Sequence, residues 1–298
     1  MERIVLIDAY AHIYRMYYAM SHSGGFTNPA GQPVGALYGM ARLLLQAETT
    51  LPSRYGAVAF DKGKAATRCA LLPEYKAQRP PMPDDLRSQV EPIKQWMEAF
   101  GWPLLMEEGR EADDLIASVT ARRDGRAVDI LAFDKDITQL VCDDVRLLAP
   151  GKNGNWIETG IPQVQEKFGV TPEMVPAYLA LLGDTSDNIR GVDGIGPKTA
   201  SKLLTDFGGL DGLREHLADV KPDRIRHSLE ESSELLDRNM KLIILDTKEI
   251  EGWHGLEGIR RRMPDWEKIR AMAAEQNFKS LMGPIDKAMK ASLQPSLF

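Results

Sequence analysis

The sequence contains few cysteines and histidines, and this scarcity excludes several kinds of site. Its two cysteines, Cys69 and Cys142, are too far apart in the chain for a metal-binding pair and too few for a disulfide framework. The five histidines are scattered, which argues against a zinc site. Because lone thiols fit a reducing compartment, we expect a cytoplasmic protein.

The sequence also lacks a long apolar run and an excess of positive charge. No apolar run is long enough to span a membrane, and no basic and then apolar leader is present. The formal net charge of -6 at first argues against a nucleic-acid partner. The net charge of a whole chain can nevertheless conceal a basic surface that surrounds an acidic cavity. The length of 298 residues favours two domains.

An acidic stretch, Glu111-Ala112-Asp113-Asp114, is the most informative feature that is present. It follows Gly109 and opens an apolar-periodic segment, so three carboxylates stand at the start of a predicted helix. Such carboxylates repel one another, and divalent cations are the simplest means of holding them together in a folded protein. The stretch therefore predicts a metal site.

Three short apolar segments each lead into an aspartate. The segments are 1–8, 56–61 and 127–134. The helical patterns between them cover 34–48, 84–100 and 111–123. This alternation predicts an α/β fold with a mainly parallel central sheet. Ligands bind beyond the carboxyl ends of such strands, where Asp8, Asp61 and Asp134 would emerge, with Asp136 two residues further on. A strand-end aspartate is also a common helix cap, but three of them beside the acidic stretch favour metal binding.

A basic segment covers residues 53–83 and ends in a proline-rich stretch that cannot continue a helix. Its cations are Lys62, Lys64, Arg68, Lys76 and Arg79. We interpret it as a mobile segment that arches over the sheet edge and contacts phosphates, with Tyr75 available to stack on a base. A solvated loop is the alternative, because isolated runs of charge are usually exposed.

A second acidic group follows in the other half of the chain. A helix is predicted to start at Thr171 and Pro172, where a capping hydroxyl precedes a proline. This helix ends in the stretch 182–188, which adds Asp184 and Asp187 to the carboxylates.

The decapeptide 191–200 then forms a predicted glycine hairpin that feeds a helix beginning at Pro197. Glycines let a backbone approach a phosphate closely, and the free N–H groups of a helix start face the anion. Because Lys198 and Lys202 lie near that end, we interpret the hairpin as a sequence-independent grip on a DNA backbone. An ordinary helix–turn–helix is the alternative.

The remaining residues are interpreted as structural. Residues 210–264 are expected to be helical and charged, with Arg260-Arg261-Arg262 forming a solvated face. Residues 265–282 are expected to form one amphipathic helix that packs back on the body.

Taken together, the chain resembles the 5′-nuclease family over roughly residues 3–283. This family comprises the 5′→3′ exonuclease domain of bacterial DNA polymerase I, the phage 5′ nucleases and the flap endonucleases. The motifs that carry the resemblance are Ile7-Asp8 with Tyr14-Arg15, Val58 to Asp61, Arg68, Tyr75-Lys76 with Arg79, Gly109 with Glu111 to Asp114, Asp134-Lys135-Asp136, Gly183-Asp184 with Asp187-Asn188, and the hairpin 191–200.

The resemblance implies a domain plan and an activity. A PIN-like or resolvase-like catalytic domain is expected over 1–168, with a helical arch at about 62–100. A helical H3TH (helix–hairpin–helix) DNA-binding domain is expected over 169–264, followed by a C-terminal helix and tail over 265–298. The implied activity is that of a Mg²⁺-dependent 5′→3′ exonuclease and flap endonuclease that leaves a 5′-phosphate and a 3′-hydroxyl.

The resemblance also implies roles for individual residues. The first metal would be held by Asp8, Asp61, Glu111 and Asp113, and the second by Asp134, Asp136, Asp184 and Asp187, with Asp113 or Asp114 between them. The implied catalytic residues are Tyr14, Lys76, Arg79 and Asp113. Tyr14 would stack on the first base of the substrate, while Lys76 and Arg79 would hold the scissile phosphate.

The expected DNA contacts and cofactors follow from the same resemblance. The DNA-binding residues would be Arg68, Tyr75, Gly191, Gly194, Ile195, Gly196, Lys198, Thr199 and Lys202. The cofactors would be two or more Mg²⁺ ions, with Mn²⁺ as a substitute, and K⁺ at the hairpin. Ala9 departs from the polymerase-linked members, which usually have glycine there, but the acidic set is untouched.

The last five residues resemble the pentapeptide that binds the bacterial sliding clamp. Its anchors would be Gln294, Ser296, Leu297 and Phe298, although a match of five residues also arises by chance. Its position leads us to expect a stand-alone bacterial protein, which we further expect to be a monomer. The expected substrate is double-stranded DNA with a 5′ end or flap, with RNA–DNA hybrids as a further candidate.

Two other functions compete with this interpretation. A non-catalytic module could use the same fold to hold branched DNA at the clamp, but such a module should have lost several of the nine carboxylates. A metal-dependent ribonuclease of similar architecture would lack the DNA-gripping hairpin. Both features therefore favour the nuclease.

Overall fold

A six-stranded sheet forms the centre of the computed structural model, which describes residues 2–21 and 25–293. Its strands are β1 (Arg3–Asp8), β2 (Tyr55–Ala59), β3 (Leu104–Leu105), β4 (Ala127–Leu131), β5 (Val145–Pro150) and β6 (Trp156–Thr159). Their order is β3-β2-β1-β4-β5-β6. Neighbours pair in parallel except β5 and β6, which are antiparallel. The predicted mainly parallel sheet is therefore confirmed.

Helices surround the sheet and build the second half of the chain. They are α1 (Ala9–Ser21), α2 (Gly35–Thr50), α3 (Ala66–Leu71), α4 (Asp84–Ala99), α5 (Ala112–Ala121), α6 (Ile161–Phe168), α7 (Val175–Leu182), α8 (Pro197–Phe207), α9 (Leu210–Glu215), α10 (Asp223–Glu231), α11 (Ser233–Ile243), α12 (Trp266–Glu275) and α13 (Lys279–Leu293). A short antiparallel pair, β7 (Gly183–Asp184) and β8 (Ile189–Arg190), follows α7. Among the described residues no helix has the length and apolar character that crossing a membrane requires.

The central strands are apolar on both faces because both faces are covered. Ile4 and Leu6 of β1 point into one apolar core, and Val5 and Ile7 point into the other, as the alternation of a strand requires. The first core continues through α5 into helices α7 to α11. The second core contains α1, α2 and α4 together with α12 and α13. The C-terminal helices thus pack back on the body, as expected.

The sheet topology places the site. Strand β1 lies between β2 and β4, with Asp8 opposite Ala59 and Ile7 opposite Leu131. The connections on the two sides of β1 lead in opposite directions, which leaves a crevice beyond the carboxyl ends of these three strands.

Two expectations about the C-terminal third are wrong. The single helix expected over 265–282 is two helices, because Asn277 adopts a left-handed backbone (φ +59°) that ends α12 and lets α13 start in a new direction. The expected helical structure also stops at Ile243, and residues 244–265 contain no α-helix.

The arginine run at 260–262 is not a uniformly solvated face. The Arg261 guanidinium lies 3.8 Å from the centroid of the Trp102 ring and pairs with the Glu48 carboxylate, leaving its side chain 5% exposed. Trp102 provides a planar apolar surface on which a guanidinium packs well, which explains this burial. The tail anchors Gln294, Ser296, Leu297 and Phe298 lie outside the described residues.

Candidate active site

The carboxyl ends of β1, β2 and β4 open into a cavity of about 310 Å³. Five of the predicted metal ligands line it, together with aromatic, apolar and basic side chains. The lining residues are Asp8, Tyr10, Ala11, Tyr14, Asp61, Lys76, Arg79, Met82, Glu111, Asp113 and Asp134. Sequence reasoning missed Tyr10 and Met82, whose apolar character gave no signal of a site.

Local folding holds the cavity carboxylates in place. Asp8 ends β1, and its Oδ1 accepts the N–H of Ala11 at 3.1 Å in the first turn of α1. Asp61 accepts the N–H of Ala112 at 2.7 Å and so fixes the start of α5 to the end of β2. An aspartate at the end of a strand can therefore cap a helix and still offer an oxygen to a metal ion.

A second acidic group lies beside the cavity. Carboxylate oxygens of Asp136, Asp184 and Asp187 all lie within 4.8 Å of one another, close enough to share a metal ion. Asp136 follows β4, whereas Asp184 and Asp187 belong to β7 and the turn after it. Lys135, which sequence reasoning assigned no role, pairs with Asp184 at 2.8 Å.

The burial of these acids makes their negative charge unfavourable in the absence of cations. Burial and the neighbouring carboxylates raise the pKa of Asp8 to about 7, and they raise the pKa of Asp136 to about 8. Burial, followed by Asp8 and Asp134, also raises the pKa of Asp113 well above its usual range. A cluster of carboxylate oxygens that lacks compensating positive charge is the kind of site that binds divalent metal ions.

Two cations lie between the acidic groups. The Lys76 ammonium is 2.5 Å from Glu111 Oε1 and 3.6 Å from Asp187 Oδ2, while Arg79 donates to Asp187 Oδ1 at 2.6 Å. Burial disfavours the Lys76 charge, but Glu111 and Asp187 outweigh it and raise the pKa of Lys76. Both cations thus remain charged at the rim of the cavity.

The segment that carries them, residues 74–79, is named the strap here. Its backbone is bonded to the turn after β7, because the Lys76 N–H donates to the Asp187 carbonyl at 3.1 Å. In return the Asn188 side chain donates to the Glu74 carbonyl at 3.0 Å. Lys76 has a left-handed backbone (φ +54°), which is uncommon for this residue type and often marks a functional position. The strap is therefore packed and is not a solvated loop.

Tyr75 does not fulfil the role predicted for it. It is 7% exposed, and its hydroxyl lies 3.1 Å from Glu111 Oε2 and 3.0 Å from Asp187 Oδ2. The prediction that its ring stacks on a base must be corrected, because the ring has no open face in this structure. The side chain instead joins the two acidic groups.

Arg68 and Asp114 also need correction. Arg68 is buried, donates to Glu111 and Asp114 at 2.6 Å, and donates to the Leu242 carbonyl at 2.7 Å, so it does not face a DNA surface. Asp114 also accepts the N–H of Asp246 and points away from the cavity. Of the two adjacent aspartates, Asp113 therefore provides the cavity carboxylate.

The glycine hairpin has the predicted start of its helix. Helix α8 begins at Pro197, and Gly196 before it has an extended backbone with open space where a Cβ would lie. Gly194 is left-handed (φ +79°). Lys198 is exposed, whereas Ile195 is buried in the helical core and can offer a partner only its backbone.

Comparison with known proteins shows which family and which fold this chain shares. A family model described as the 5′-3′ exonuclease N-terminal resolvase-like domain matches residues 3–169, and the model of its C-terminal SAM fold matches residues 170–267. The chain is 32% identical to a 5′-3′ exonuclease of Aquifex aeolicus over the whole of both chains. It is also 37% identical to a thermostable DNA polymerase I of Thermus filiformis, covering 94% of this chain and 33% of the polymerase.

The chain thus spans about a third of the length of that polymerase. Among solved structures, a flap endonuclease of bacteriophage T5, in a pseudo-enzyme–product complex with DNA and metal ions, has the same fold. It superposes with a TM-score of 0.66 at 23% identity, covering 98% of this chain and all of the other.

Proposed function

The chain belongs to the 5′-3′ exonuclease family, and we propose that it is a nuclease that uses two Mg²⁺ ions to hydrolyse DNA at 5′ ends and 5′ flaps. The observation that carries the proposal is the pair of adjoining acidic groups. One lines the cavity beyond β1, β2 and β4, and the other is the cluster of Asp136, Asp184 and Asp187.

The two groups divide the ligands. Asp8, Asp61, Glu111 and Asp113 would hold one ion. Asp134, which also lines the cavity, would join Asp136, Asp184 and Asp187 around the other. When bound, two such ions would supply Lewis acidity that activates water and offsets the negative charge of an in-line displacement. Mn²⁺ has the same preference for oxygen ligands and should substitute.

The remaining cavity residues would hold the substrate. Lys76 and Arg79 line the cavity and would face the phosphoryl oxygens, where preorganised cations lower the barrier as negative charge develops. The ring of Tyr14 lines the same cavity and would stack on the base next to the scissile phosphate. Outside the cavity, the hairpin and Lys198 would grip the duplex backbone, with Gly191, Gly194, Thr199 and Lys202 near them and K⁺ held by hairpin carbonyls.

We also propose where the enzyme acts and in which processes. We place it in the bacterial cytoplasm as a monomer that removes flaps or primers during replication and repair. Residues 294–298 would tether it to the sliding clamp, and the RNA strand of a hybrid would be a further substrate. Retention of every predicted carboxylate disfavours a non-catalytic DNA-binding module.

Cleavage of a 5′-end-labelled flap DNA in Mg²⁺ or in EDTA tests the proposal. The parent should release short labelled products only with Mg²⁺, and Asp113→Asn should lower the rate on the order of a hundredfold or more while flap binding persists. Asp143→Asn, in an exposed turn away from the cavity, is the matched control and should cleave normally. Tight binding without cleavage by the parent would establish the non-catalytic module instead.

A further inference from the structure

Helix α1 carries a row of tyrosines that leads out of the cavity. Tyr10, Tyr14 and Tyr18 are spaced by four residues, so their side chains lie along one side of the helix. The Tyr10 ring packs edge-on against Phe60 at the cavity wall, at a centroid distance of 5.4 Å. Tyr18, at the other end of the row, is 48% exposed.

The outer two rings are nearly parallel. Tyr14 and Tyr18 have centroids 6.4 Å apart and an interplanar angle of 23°, whereas Tyr10 is tilted by 50° from Tyr14. This separation is about twice the roughly 3.4 Å spacing of stacked bases. Successive bases of a stretched single strand can therefore reach one ring each.

Basic side chains of the strap and of α4 flank the row. The positive charges of Arg79 and Arg87 are close enough to oppose the rise in the pKa of Tyr14 that burial and Tyr18 cause. Arg87 is 63% exposed, and Arg79 lies at the rim of the cavity. The Tyr17 hydroxyl lies 2.9 Å from both carboxylate oxygens of Asp85 and so fixes the start of α4 beside α1.

We propose that Tyr18 forms a second stacking position beyond Tyr14, so that the enzyme holds two successive bases of a single-stranded 5′ flap, with Arg79 and Arg87 facing the phosphates. Exposed aromatic faces beside a basic track are the usual means of binding single strands without regard to sequence. The inference rests on the proposed function and adds a substrate preference: flaps of two or more nucleotides should be favoured over flaps of one.

The first test compares kcat/KM for three-nucleotide and one-nucleotide 5′ flaps. Tyr18→Leu, which keeps apolar bulk on an exposed helix face, should lower the ratio of the two values about tenfold, mainly through KM for the longer flap. Tyr18→Phe, which keeps the ring, should preserve the parent ratio. Equal losses on both flaps, or no loss, would overturn the inference.

A second readout needs no cleavage. In EDTA, a fluorescent purine analogue at the second flap nucleotide should lose emission on binding to the parent and to Tyr18→Phe, because stacking quenches it. It should keep its emission with Tyr18→Leu. If the parent binds and quenches the probe but never cleaves with Mg²⁺, the proposed function fails and the stacking position stands. If it cleaves without quenching, the stacking position fails alone.

Discussion

At the scale of single residues, the acids of the cavity serve the fold and the chemistry together. The Asp8 and Asp61 carboxylates each accept a backbone N–H at the start of a helix, and each also faces the cavity. Such bonds fix the direction of a carboxylate before any metal binds. Holding several charges in one buried place nevertheless costs stability, and that cost appears in the raised pKa values.

Because of this cost, the stability of the metal-free protein should depend on pH. The pKa of Asp8 is about 7 and that of Asp136 about 8, against an ordinary value of 3.8. At pH values between the ordinary pKa and the raised pKa, the folded protein binds more protons than the unfolded chain. The metal-free protein should therefore lose stability as pH rises from about 4 to about 8. Mg²⁺ removes the cost, and saturating Mg²⁺ should raise Tm by about 5 °C or more at pH 8.

At pH 5.5 the same Mg²⁺ concentration should raise Tm much less, because protons occupy the carboxylates. Differential scanning fluorimetry at both pH values measures the effect. Asp8→Asn serves as a comparison, since it removes one of the carboxyl groups whose pKa is raised and should flatten the pH dependence. An equal Mg²⁺ effect at both pH values would show that the raised pKa values play no part in metal binding.

At the scale of elements, the strap and the turn after β7 stabilise each other. Lys76 and Asn188 both have left-handed backbones, and each contributes a hydrogen bond that joins the two segments. Gln78 adds bonds to the carbonyls of Thr185 and Ser186. The position of Lys76 in the cavity therefore depends on a turn more than a hundred residues away in sequence.

Substitution of Asn188 tests this dependence. Asn188→Ala should lower the free energy of unfolding by about 1–2 kcal/mol, because alanine disfavours the left-handed backbone and cannot bond to Glu74. Asn188→Gly tolerates the backbone and should cost less. Urea unfolding separates the two variants, and both should lower kcat on flap DNA. Identical stabilities would mean that the backbone conformation at 188 carries no strain.

The hairpin allows a test with a closely matched control. Gly196 and Gly160 both precede a helix and have an extended backbone, and neither position is obstructed for a Cβ. Gly196→Ala should fold normally but weaken duplex binding about tenfold, because the new methyl group occupies the approach of a phosphate. Gly160→Ala, remote from the hairpin, should bind as the parent does. Fluorescence anisotropy with a flapless duplex measures both, and equal affinities would rule out a close backbone approach at 196.

Elements with strong local signals could be predicted from the sequence. The buried strands β1, β2 and β4, the start of α8 at Pro197 and the convergence of Asp8, Asp61 and Asp134 follow from apolar runs, glycine and proline placement, and parallel topology. Strand β3 has only two residues and no periodicity, so it was missed. The break at Asn277 depends on one residue with a left-handed backbone, which the helical periodicity of the sequence does not reveal.

The errors within the site have a common physical origin. Arg68, Tyr75 and Asp114 have the residue types expected at a nuclease surface, but each is buried and bound to a partner distant in sequence. Whether a charged or aromatic side chain faces DNA or the interior depends on contacts between segments. Sequence spacing does not encode those contacts.

At the scale of the whole molecule, the proposed metal centre and the first apolar core each combine residues of the sheet part with residues of the helices that follow it. The first core runs without interruption from the sheet into helices α7 to α11. The proposed ligands Asp184 and Asp187 lie in the part that follows α7, whereas the cavity acids lie at the ends of β1, β2 and β4 and at the start of α5. The centre is therefore complete only when the two parts of the chain pack together.

The number of metal ions bound is the most direct test of this account. Isothermal titration of the metal-free protein with Mn²⁺ should show two ions per chain. Asp61→Asn should lose the ion of the cavity and keep the other, and Asp184→Asn should lose the ion of the second group and keep the first. One ion in the parent, or the loss of both ions in either variant, would contradict a centre built from two separable groups of carboxylates.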